Sequence, residues 1–173
     1  MIVHADLAGH WEESMTKGKA VVESESYWGC LSKETCEEVS RFDQARLETE
    51  RLALEEEIRS RIVTPAHSLK NRFQSWERLI AFLEGMQPPD DRYFFSEYEN
   101  DLDIRDGLQV ALAGLPEGSQ RELSSLLDSL DARFEACTIQ DVTGELDPWL
   151  RRRRRDADPT QWWWHRKPKI APW

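Results

Sequence analysis

Residues 64–89 read TPAHSLKNRFQSWERLIAFLEGMQPP, and this stretch decides the fold. Leu69, Phe73, Trp76, Ile80 and Leu83 recur at alternating spacings of four and three, the seam of a helix that packs on a partner helix. Leu79 and Phe82 widen that face. Thr64 is placed to cap the helix and Pro65 to occupy its first position. Gly85 closes it, and Pro88-Pro89 forbids its continuation. The aromatic stripe is read as packed core, not as a cofactor box.

Upstream, Ser32 predicts an N-cap, and Glu34, Glu37 and Glu38 suit the dipole of the helix that follows. No Gly or Pro intervenes before Val63. Cys36, Val39, Phe42, Leu47, Leu54, Ile58 and Ile62 supply an imperfect apolar stripe. A continuous helix of about 31 residues would make a rod of roughly 46 Å. Residues 32–85 are therefore expected to form a long helical hairpin. In residues 1–31 the pattern is irregular. Leu7, Trp11 and Met15 suit a short helix from Asp6 to Lys17, ended by Gly18. Lys19 to Trp28 then reads as extended, with weak alternation that allows one short β element.

Downstream, residues 86–102 read as an acidic, aromatic connector around Tyr93, Phe94, Phe95 and Tyr98. A helix is expected from Asp103 to Leu115, burying Ile104, Leu108, Ala111, Leu112 and Leu115. Pro116-Glu117-Gly118 breaks it, and Ser119 is placed to cap the next helix. That helix carries Leu123, Leu126, Leu127, Leu130, Phe134 and Cys137 on one face. Residues 103–150 thus form a second hairpin, and Asp147-Pro148 leads into a tail, 151–173. The expected fold is mainly α: two stacked helical hairpins, a four-helix core, with the Trp/Arg-rich tail docked on it.

Charge layout carries the docking expectation. Residues 1–150 hold 31 acids and 15 bases, net −16, whereas residues 151–173 hold 8 bases and 2 acids, net +6. An acidic body repels polyanions and attracts basic proteins or its own tail. Arg151, Arg152, Arg153, Arg154 and Arg155 precede Trp162, Trp163 and Trp164. These residues suit phosphates and stacked bases, a lipid headgroup layer, or the chain's own carboxylates. Burial of one Trp removes on the order of 200 Å² from water, worth several kcal/mol at roughly 25 cal/mol per Å². That magnitude favours self-docking over a bare arm.

No stretch approaches the roughly 20 apolar residues that span a bilayer. The start, from Met1 to Asp6, lacks the pattern of a secretory signal, so a cytoplasmic location is expected. Cys30, Cys36 and Cys137 share no redox or zinc spacing and read as structural thiols.

The acidic stretch is the strongest candidate for a binding face. Glu97, Glu99, Asp101 and Asp103 would steer a basic partner, with Tyr93 and Tyr98 as contact anchors. The competing reading makes the acids an ordinary helix start and the aromatics a core plug. Asp101-x-Asp103 opens like a calcium loop, but positions six and twelve are Asp106 and Leu112 instead of Gly and Glu. No nucleotide, nucleophile or metal motif is present, so no catalytic residue, metal or cofactor is expected. The leading expectation is a non-catalytic protein-binding module, an acidic inhibitor or immunity-type protein for a basic protein partner. Its rivals are a nucleic-acid-associated regulator working through the tail and a metal-dependent hydrolase using the acidic cluster. The apolar seams also allow a dimer.

Overall fold

The computed structural model describes residues 23–86 and 93–170. The helices are α1 (Glu23–Cys30), α2 (Lys33–Leu52), the single turn α3 (Glu56–Arg59), α4 (Leu69–Gly85), α5 (Phe95–Ala113), α6 (Glu117–Cys137) and α7 (Asp147–Asp156). A 3-10 turn over Trp162–His165 leads into β2 (Arg166–Pro168). This strand pairs antiparallel with β1 (Thr138–Gln140), Ile139 lying opposite Lys167.

The seam read from residues 64–89 is buried along its whole length, which makes α4 the central helix. It packs on α5, α6 and α1, while α2 lies against α6. The mainly helical fold and four-helix core are as expected, and the C-terminal segment is docked on them. Trp76 tilts onto Phe134 at 4.7 Å between ring centroids, and Trp28 onto Phe73 at 5.6 Å.

Several element boundaries differ from the sequence reading, each for a tertiary reason. The helix expected over Asp6–Lys17 lies outside the described residues. Lys19–Trp28 is not extended throughout, because Glu23–Cys30 is helical. Its anchors are long-range: Ser24 bonds Glu77, the Tyr27 hydroxyl donates to the Glu122 carbonyl at 2.6 Å, and Trp28 packs on Phe73. Among the described residues the strands lie late in the chain, at Thr138–Gln140 and Arg166–Pro168.

The rod expected from Ser32 to Val63 is broken at Leu52. Ser32 does cap it, accepting from the Thr35 amide. Beyond Leu52 no residue of α3 is buried, so no apolar face continues the helix there. Guanidinium groups hold the turns instead. Arg51 donates to the Ile62 carbonyl at 2.9 Å, and Arg59 to the carbonyls of Arg51 and Leu54, each at 3.0 Å.

The cap of α4 is Ser68, not Thr64, and Asp43 of α2 accepts from the Leu69 amide. Helix α6 starts at Glu117 after Pro116. Ser119, expected as its cap, is buried inside it, near the Thr35 hydroxyl at 3.2 Å. The division drawn at residue 150 falls inside α7, which Pro148 opens from its first turn. Two glycines matter to the packing. Gly107 leaves the space on α5 that the Arg72 guanidinium fills, and Gly144 turns the chain into α7 at φ 69°.

Candidate functional site

From Phe95 onward the acidic stretch is helix and not connector. Helix α5 begins at Phe95, eight residues before the expected start, with the Glu97 carboxylate accepting from the Phe94 amide. Three of the aromatics here face inward, Tyr98 wholly buried and Tyr93 and Phe95 nearly so, whereas Phe94 is 62% exposed. The Tyr98 hydroxyl donates to the Arg166 carbonyl at 3.1 Å, and that of Tyr93 to Asp101 at 2.8 Å. Of the residues read as a partner-binding face, Tyr93 and Tyr98 lie in the core and Asp101 is tied to Tyr93.

The remaining acids of α5 meet the C-terminal segment. Arg153 lies 2.7 Å from Asp103 and 3.5 Å from Glu99. One turn further along, Asp106 accepts from both buried indoles, at 2.8 Å from Trp163 and 3.0 Å from Trp164. Each indole N–H would otherwise be a donor stranded in the core. The approach is set by the turn at Asp158-Pro159-Thr160, where Asp158 accepts from the amide and hydroxyl of Thr160. Thr160 in turn accepts from Gln109 of α5 at 3.0 Å.

Beneath Trp163 lies a buried ion pair. Arg105 donates to Asp131 through two nitrogens, at 2.9 and 2.7 Å, and the Trp76 indole donates to the same carboxylate at 3.0 Å. The Arg105 guanidinium sits 4.2 Å from the Trp163 ring centroid. Trp162 packs against Phe134 and Trp163, under Arg166.

The arginine run has been divided by helix formation. Arg154 points inward and bonds Asp141 at 2.7 Å, Asp147 at 2.6 Å and the Trp164 carbonyl at 2.9 Å. Asp141 also accepts from the amides of Glu145 and Leu146. Burial pushes the Asp141 carboxyl up, but the Leu146 amide, Arg154 and the Glu145 amide outweigh it and hold it below the usual range. Arg152 and Arg155 face solvent, both near Asp156.

Burial pushes the Asp101 carboxyl from 3.8 up to about 6, against the pull of the Tyr93 hydroxyl. The native carboxyl keeps a proton that the unfolded chain releases near its ordinary pKa. Folding stability therefore falls as pH rises from about 4 to about 6, and stays lower above that. Asp101→Asn should raise stability by about 1–3 kcal/mol at neutral pH and leave it unchanged below ~pH 4. Urea melts at the two pH values check this, and an unaltered midpoint at neutral pH would contradict it.

Two apolar surfaces escaped the sequence reading. One is a knuckle beyond the end of α2, where Leu52 is 75% exposed, Val63 73% and Ile58 46%. Exposed Glu48, Glu55, Glu56 and Glu57 accompany it. The stripe of the supposed continuous helix claimed Ile58 for the core, so only the break reveals this surface. The other is a groove of about 360 Å³ between α7 and the ribbon, lined by Ile139, Leu146, Trp149 and Pro168 with Glu145, Lys167 and Lys169. Trp149 is 53% exposed, yet held in place by stacking on Phe95 at 4.8 Å. Its position one residue before Leu150, in a segment read as hairpin end, carried no signal.

Among the described residues, no group of three or more His, Cys, Asp or Glu is placed to hold a metal ion. No described helix is long and apolar enough to cross a membrane. No protein-family model matches this chain, and neither a curated protein nor a solved structure matches it.

Proposed function

We propose that this chain is a non-catalytic protein-binding module for a basic partner, of the inhibitor or immunity type, which covers a cationic surface. The observation that supports this reading is the knuckle at residues 52–63. Apolar side chains with a charged rim in which carboxylates outnumber the arginines Arg51, Arg59 and Arg61 have the anatomy of an interface, the apolar groups giving contact and the acids steering and register. The net charge of −10 adds long-range attraction for a cationic protein. Three free thiols suit action in the reducing cytoplasm. The interior ionic groups at Arg105, Asp131, Asp141 and Arg154 are engaged in holding the fold, which favours binding over chemistry.

The nucleic-acid alternative has less support, because Trp163 and Trp164 are committed to Asp106 and offer no faces for bases. The test is affinity capture from native lysate with wild type, Glu55→Lys/Glu56→Lys/Glu57→Lys, and Leu52→Asp/Val63→Asp. Wild type should retain a basic protein that both variants lose at unchanged melting temperature. Identical capture by all three would overturn the reading.

A further inference from the structure

The knuckle and the groove are unlike surfaces with opposite rims. At the knuckle, Leu52, Ile58 and Val63 stand among Glu48, Glu55, Glu56 and Glu57. Glu48 and Glu56 pair with Arg51 and Arg59, and exposed Arg61 lies in the same run, so that an acidic excess remains at Glu55 and Glu57. At the groove, an apolar floor of Ile139, Leu146, Trp149 and Pro168 has Lys167 and Lys169 on the ribbon side. Arg152, 88% exposed, stands one helical turn beyond Trp149 on the same face of α7. Val142, 85% exposed, adds apolar surface next to β1. Glu145 and Asp156 offset part of this positive charge, by pairing with Lys167 and with Arg152 and Arg155. Lys169 has its ammonium on the Ala136 carbonyl.

We infer that the groove of one copy receives the knuckle of a second copy of this chain, in a head-to-tail contact. The inference rests on the knuckle being a contact surface, as in the reading above, and names a partner for it. The apolar side chains of the knuckle enter the floor beside Trp149. The run Glu55-Glu56-Glu57 meets Lys169 and Arg152 on the rims. Trp149, already fixed against Phe95, loses little freedom on contact, which suits a binding anchor. A contact between two different patches is heterologous, so it leaves one knuckle and one groove open at the ends and can propagate. Carboxylates set against ammonium and guanidinium groups at the rim also make it sensitive to salt.

The experiment uses the full chain and light-scattering mass after size exclusion, across a concentration series. Wild type should grow in mass with concentration, passing beyond two chains, and shrink in high salt. Glu55→Lys/Glu56→Lys/Glu57→Lys should weaken association roughly tenfold or more, as should Arg152→Glu/Lys169→Glu. Ile139→Asp is an independent groove variant that leaves the ion pairs intact. A one-to-one mixture of the knuckle variant and Ile139→Asp should stop at two chains, since it retains one complementary pair of surfaces. A wild type that stays at one chain throughout would overturn the inference, as would a mixture that never forms dimers. If wild type stays monomeric while the knuckle variant still loses a basic protein in affinity capture, self-association fails and the binding reading survives. If all variants capture alike but wild type associates as described, the foreign-partner reading fails and this contact stands.

Discussion

Replacing Asp106 with alanine should cost about 4 kcal/mol of folding stability, because two indole donors lose their acceptor in one step. A buried donor without a partner forfeits about 1–3 kcal/mol, and here the lost acceptor is a carboxylate shared by neighbouring side chains. Trp163 and Trp164 are each 1% exposed, so water is not at hand to take its place. Asp106→Asn should be much milder, since its amide oxygen can still accept from both indoles. Chemical denaturation of the two variants measures the difference. The alanine variant should also expose indole fluorescence before the body unfolds. Equal stability in the two variants would mean that the indoles gain nothing from Asp106.

Asp131→Ala is expected to match or exceed that loss. It leaves the Arg105 charge at 7% exposure without its carboxylate, and removes the acceptor of the Trp76 indole. Breaking a buried pair from one side costs about 3–5 kcal/mol, whereas replacing both partners by well-packed groups is often close to neutral. Arg105→Met/Asp131→Asn should therefore recover most of the stability, as Asn keeps an acceptor for Trp76 and Met fills the space under Trp163. The comparison separates an orphaned charge from lost packing. A double variant no better than Asp131→Ala would assign the whole effect to the pair itself.

The sequence was most legible where apolar periodicity and charge segregation were strongest. The Leu69–Leu83 seam marked the central helix, and the opposed charges of residues 1–150 and 151–173 anticipated a docked tail. It was least legible where distant groups decide local structure. The break after Leu52 has no Gly or Pro to announce it, and is held by Arg51 and Arg59, which bond carbonyls across the turn. The start of α5 at Phe95 was hidden because its acids looked like a solvated connector. In the fold they form one side of the surface on which Arg153, Trp163 and Trp164 rest. The five arginines looked like one cationic unit, but α7 turns Arg154 inward and leaves Arg152 outside. As for the candidate binding surfaces, exposed Leu52, Val63 and Trp149 look no different in sequence from core residues. Only burial tells them apart.

Hydrogen exchange at the indole N–H groups of Trp163 and Trp164, followed by NMR in deuterated buffer, asks most directly whether the terminal segment belongs to the core. Both protons should persist as long as the slowest amides of α4, and be released only with global unfolding. Exchange within the dead time of the experiment, while α4 stays protected, would show a segment that opens freely and would contradict the account.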